Sequence, residues 1–85
     1  MGRDVMQSRI ALVVSPAVGT EQYKTVSEAR NRAIRLSLQP NVGYAKVVSP
    51  SGYTFGFVRG CEAECVNAMW VKKPGATLLR DPCDV

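Results

Sequence analysis

The chain contains no histidine and only three cysteines, and each scarcity removes a class of function. Without histidine the commonest general base and metal ligand is missing. No nucleophile-elbow pattern, Gly-rich phosphate loop or recognisable carboxylate pair stands in for it. The chain is therefore read as non-enzymatic. Cys61, Cys65 and Cys83 form an odd set with no secretory signal ahead of them, which argues against a disulfide framework. A zinc site needs four ligands, and here the fourth would have to be Glu64, Asp81 or Asp84. An iron-sulfur ligand run would need cysteine where Ala68 stands. No metal and no cofactor are expected, and Cys61 and Cys65, four apart, read as small buried residues of a short helix.

Long apolar runs are missing as well. Ile10 to Val14 is halted by Ser15 and Pro16, too short for a signal-peptide core or a bilayer span. Met1-Gly2 is followed by Met6 where myristoylation wants Ser or Thr. The expectation is a soluble, cytoplasmic protein with no membrane partner. Repeats, linkers and low-complexity stretches are absent too, so residues 1–85 are read as one small domain with 1–8 and 81–85 as loose termini.

What is present is an ordinary globular composition, 46% hydrophobic and 21% charged, which predicts a folded domain. Eighty-five residues bury one small core, worth a net few kcal/mol after chain entropy, so homo-oligomerisation or docking on a partner would add to its stability. Eleven basic against seven acidic residues leave a charge of +4, which suits nucleic acid or an acidic protein without demanding either. The tightest basic groups are Arg30/Arg32/Arg35 and Lys72/Lys73.

Arg9 to Ser15, rich in Val and Ile, predicts a central strand buried on both faces. Pro16 to Lys24 reads as a loop or helical lead-in. Thr25-Val26-Ser27-Glu28 is a capping box, and the helix it opens runs over residues 25–38, before Pro40. Its apolar stripe is Val26, Ala29, Ala33 and Leu36. Glu28 and Arg32 are spaced for an i,i+4 pair, so Arg32 and Arg35 read first as a solvated face and second as a basic patch. Gly43 to Ser49 and Tyr53 to Arg59 flank Pro50-Ser51-Gly52, which predicts a hairpin. Beyond it, Cys61 to Trp70 suits a short helix, Lys73-Pro74-Gly75 a turn and Ala76 to Arg80 a last strand. The sum is an α+β fold: a three- to four-stranded antiparallel sheet with one main helix, room for a second short helix on the same face, and a split β-α-β order.

Phe55-Gly56-Phe57-Val58 resembles the aromatic octamer of RNA-recognition-motif domains, and the predicted element order is similar to that family's. The resemblance implies single-stranded RNA stacked on Phe55 and Phe57, with Lys46 and Arg59 meeting phosphates. Tyr53, Thr54 and Gly60 depart from the octamer, and Ile10 to Val14 lacks the aromatic that the family places on its first strand. Four matched residues of one strand do not make the chain a member.

Turn length decides where these aromatics point. A two- or four-residue turn sets Val48, Lys46 and Tyr44 opposite Tyr53, Phe55 and Phe57, an aromatic and cationic platform for nucleic acid. A three-residue turn sets Ser49, Val47 and Ala45 opposite them, a core. Pro first and Gly third favour the three-residue turn. The commitment is a small regulatory or inhibitory protein that binds a protein or nucleoprotein partner, of the kind phages and mobile elements encode, through Trp70, Lys72, Lys73, Arg32 and Arg35. The runner-up is single-stranded nucleic-acid binding through Tyr44, Lys46, Tyr53, Phe55, Phe57 and Arg59.

Overall fold

A computed structural model describes residues 10–79. The termini expected to be loose, and Cys83 with them, lie outside the described residues. The fold is α+β: one helix against a six-stranded antiparallel sheet of order β2-β1-β3-β4-β5-β6. The strands are β1 (Ala11–Ser15), β2 (Gly19–Tyr23), β3 (Ala45–Val48), β4 (Thr54–Val58), β5 (Cys61–Val66) and β6 (Met69–Lys72), and the helix α1 (Val26–Ser37) falls between β2 and β3. Since β2 and β3 both run antiparallel to the β1 between them, they are parallel to each other, and α1 is a crossover with one strand inserted beneath it.

The strand count exceeds the three to four expected. β2 forms where a loop was expected: Pro16 to Val18 turn the chain, Val18 N donates to Ser15 O at 3.3 Å, and Gly19 closes the turn at φ +75°. β5 and β6 replace the expected helix over Cys61 to Trp70. Two tight turns make this hairpin series, Arg59-Gly60 and Asn67-Ala68, with every turn residue at the positive φ that a two-residue type I′ turn requires. The strand expected after Lys73-Pro74-Gly75 does not form over residues 76–79; that segment instead folds back, and Leu79 N donates to Gly60 O at 2.7 Å.

Local chemistry explains α1 closely. Thr25 caps it in an extended conformation, its Oγ1 accepting from Glu28 N at 3.1 Å. The helix ends at Leu38 before Pro40. Ala29, Ala33, Ile34, Leu36 and Ser37 are buried, with Val26 half-buried. They pack against Ala11 and Val13 of β1, Ala45 and Val47 of β3, and Phe57 of β4. The main contacts of α1 run across β2, β1, β3 and β4 and end there. β1 is accordingly buried on one face and half-buried on the other, rather than sealed on both.

The β3–β4 turn is the three-residue one. Ser49 N donates to Tyr53 O at 2.8 Å, Gly52 N to Ser49 O at 2.9 Å, and Gly52 sits at φ +92°. Val47 therefore pairs with Phe55 and Ala45 with Phe57, on the helix side.

Candidate nucleic-acid interface

Register sorts the side chains between two faces, because paired antiparallel residues point the same way. Phe57 pairs with Glu62, and Val71 with Glu64; Val13 pairs with Glu21. Phe57 and Val13 belong to the core, so all three sheet carboxylates lie on the helix side. The other face has no helix over it. Along it run Leu12 and Val14, then Lys46 and Val48, then Thr54, Gly56 and Val58, then Cys61, Ala63 and Cys65, and last Trp70 and Lys72. Among the described residues, no strand carboxylate shares it.

Two aromatic rings are set into this open face. Trp70, on β6, lies against Gly56 so closely that a Cβ there would stand 2.6 Å from its Cζ3 and 2.7 Å from its Cε3. Tyr44, just before β3, is nearly parallel to it, with ring centroids 6.3 Å apart and planes 20° apart. Both rings are half-buried, with part of each left to solvent. Gly56 thus makes room for a ring and not for a helix. Lys46 flanks the pair and Lys72 lies two residues beyond Trp70 along β6. The arrangement combines flat π-surface with positive charge on a face without strand carboxylates, the elements from which single-strand platforms are built.

The residues singled out from sequence divide differently. Tyr44 and Lys46 come to this face with Trp70 and Lys72, so half of each expected set meets. Phe57 is 2% exposed in the core and offers no surface to a base. Phe55 is half-buried against the same core, edge-on to Phe57 at 5.9 Å, and Tyr53 is 66% exposed at the strand end, 5.8 Å from Phe55. These three take helix-side positions on β4, although Tyr53 and Phe55 border the same opening as Lys46. Arg59 is exposed in the β4–β5 turn. Lys73 also faces the helix side, 3.8 Å from Glu62.

Arg32 of α1 is bound at the β2 edge of the sheet. Arg32 does not pair with Glu28 as its spacing suggested; its Nε donates to Glu21 Oε1 at 3.0 Å and its Nη2 to Glu21 Oε2 at 3.3 Å. Tyr23 OH donates to the same carboxylate at 2.9 Å. The Arg32 bond holds the Glu21 carboxyl below its ordinary range, and Arg32 itself is held more firmly protonated by it. Burial, then the bond to Glu21, pushes the Tyr23 hydroxyl up. This cluster ties α1 to the β2 edge. Arg35 lies in the last turn of α1. Sequence reading placed Arg30 only within a basic group; its guanidinium sits 5.7 Å from the Phe57 ring centre, and a helical arginine over a strand aromatic shows no local signal.

Cys61 is buried and Cys65 exposed, both on β5. Among the described residues no three His, Cys, Asp or Glu side chains gather as a metal site, and no helix is long and apolar enough to cross a membrane. Comparison with family models, with curated proteins and with solved structures finds no match.

Proposed function

We propose that this protein is a non-enzymatic module that binds single-stranded nucleic acid on the open face of its sheet, as a small regulator of a nucleoprotein process. The observation that carries the reading is the segregation of charge. Lys46 and Lys72 flank the Tyr44–Trp70 pair, while Glu21, Glu62 and Glu64 point to the opposite side. A polyanion meets attraction there with little opposing charge, and exposed ring surface takes a base by stacking, worth about 1–3 kcal/mol per base.

The test is a fluorescence-anisotropy titration with labelled single-stranded RNA and DNA over a range of salt. Affinity should fall steeply as salt rises. Replacing Lys46 and Lys72 together by Ala should lower the logarithmic salt slope by about 1.4, at roughly 0.7 per phosphate contact on a single strand. Flat titrations of the unmutated protein would overturn the reading.

A protein partner is the second reading, favoured by one observation. Val66, Met69 and Val71 of the β5–β6 hairpin are exposed at 45%, 65% and 37%, past the end of the main helix contacts. If nucleic acid does not bind, this apolar hairpin is the surface to test next, with Met69→Asp as the disabling variant.

A further inference from the structure

The β4–β5 ladder stops early. It contains Val58–Cys61, Phe57–Glu62 and Gly56–Ala63, yet β4 begins two residues before Gly56 and β5 continues three residues beyond Ala63. The phase of the flanking ladders says what this leaves open. Ser49 N donates to Tyr53 O, so Tyr53, Phe55 and Phe57 turn their backbone groups toward β3, and Thr54 turns its own toward β5. Lys73 N donates to Glu62 O, so Glu62 and Glu64 turn theirs toward β6, and Cys65 turns its own toward β4. Thr54 and Cys65 therefore aim an N–H and a C=O each into the opening, and the ladder does not join them.

A cavity of about 410 Å³ occupies this opening, walled by Lys46, Thr54, Ala63, Cys65 and Trp70 and, from the helix-side positions of the strands, by Tyr53, Phe55, Glu64 and Lys73. Trp70 cannot settle across it freely, since its ring is held on Gly56 and beside Tyr44. The cavity thus has aromatic walls with the Trp70 ring fixed among them, two lysines against one carboxylate, and a hydrogen-bonding backbone edge. That combination fits a flat heterocycle with donors and acceptors along one edge, attached to an anionic backbone.

Resting on the nucleic-acid reading above, we propose that one unpaired nucleobase enters the opening between β4 and β5, stacks against Trp70 and bonds through its edge to the Thr54 and Cys65 backbone. A base already paired in a duplex has that edge occupied. The site therefore selects single strands by base chemistry as well as by backbone flexibility.

Cys65 supplies the test, since its exposed thiol lies on the cavity wall while Cys61 is buried. In a Cys83→Ser background, alkylation of Cys65 by iodoacetamide is followed by mass spectrometry with and without saturating oligothymidylate, oligouridylate or a DNA duplex. The expected result is that either single strand slows Cys65 alkylation by roughly tenfold, the scale of one base contact, and that duplex does not. Cys65→Leu, which fills the cavity from an exposed position, should weaken single-strand affinity by a similar factor while leaving the circular dichroism spectrum unchanged. An oligonucleotide that binds by anisotropy yet leaves the alkylation rate unaltered would overturn the base pocket and spare the open-face reading. Absence of binding altogether would overturn both.

Discussion

Replacing Gly56 by Ala tests the foundation of the open face, the seat of Trp70. Gly56 is buried in β4, and its backbone lies outside the positive-φ region, so alanine suits the backbone there. Alone, that change would stabilise the fold by about 0.4–1 kcal/mol, by reducing the freedom of the unfolded chain. The new methyl would meet Trp70 Cζ3 at 2.6 Å, Cε3 at 2.7 Å and Cη2 at 3.1 Å. Carbon atoms rest at about 3.5–4.0 Å, so the ring must lift by roughly 1 Å. Tyr44 stands beside it and limits the tilt. Crowding of this kind costs about 1–3 kcal/mol, which outweighs the backbone gain and leaves a net loss of about 1 kcal/mol. In a domain this small the midpoint of thermal unfolding should fall by roughly 4–8 °C. Trp70 is the one tryptophan in the chain, so its emission reports the ring directly and should move to the red as it lifts toward water. Gly56→Ala in a Trp70→Ala background removes the crowding and should be stabilising, so the effect of the methyl should differ between the two backgrounds by about 1–3 kcal/mol. Equal stabilisation in both, with unaltered emission in the single variant, would refute the placement of Trp70 and with it the platform.

Ser37→Ala should be far more damaging than its size suggests. The buried Ser37 hydroxyl accepts from Gly60 N at 3.0 Å and donates to Ile34 O at 2.8 Å, so its loss strands a buried N–H at a cost of about 1–3 kcal/mol in denaturant unfolding; a cost below about 0.5 kcal/mol would refute that account. The Glu21–Arg32 pair should make stability depend on acidity. Because Arg32 lowers the Glu21 pKa in the folded state, the contribution is present above the unfolded value and disappears as pH falls through the folded one. Both side chains are 30% exposed, which limits the contribution to about 1 kcal/mol or less. The stability gap between the unmutated protein and Arg32→Ala should therefore close as Glu21 becomes protonated, and a gap that persists into strong acid would contradict the pairing.

The parts of this fold that sequence alone makes legible are those fixed by neighbours in the chain. Thr25 and Glu28 mark the helix start because a cap spans only four residues, and Pro50-Ser51-Gly52 sets the β3–β4 register because turn geometry is local. β2 escapes such a reading. Gly-Thr-Glu-Gln-Tyr carries no apolar alternation, and what makes it a strand is its pairing with β1 on one side and the Arg32 contact on the other. β5 escapes it for a different reason. Cys61, Ala63 and Cys65 alternate with Glu62 and Glu64, yet cysteines four apart also suit a helix, and the turns that decide for a strand use Arg59 and Ala68 at positive φ, where glycine or asparagine would have announced them. Reading β5 and β6 as a helix then hid Trp70, which reaches Tyr44 only through the register of three strand pairings.

The same register sets the charge of the site, and no single site residue encodes it. Side chains along β5 alternate with a period of two, so moving Cys61–Val66 by one position against β4 would bring Glu62 and Glu64 to the open face beside Lys46 and, because β6 stays paired with β5, carry Trp70 and Lys72 to the helix side. A phosphate backbone would then meet two carboxylates on a face that has lost Lys72 and the Trp70 ring, and the electrostatic attraction would be lost. What prevents the slip is the two-residue length of the Arg59-Gly60 turn, which pairs Val58 with Cys61 and leaves the glutamates on the helix side with Phe57. Gly60 is further held by Ser37 on its N–H and by Leu79 on its carbonyl oxygen, and a Cβ there would run into Leu38 and Leu78. The turn is thus anchored to the helix end and to the returning chain. Residues that touch no ligand determine which face can receive one.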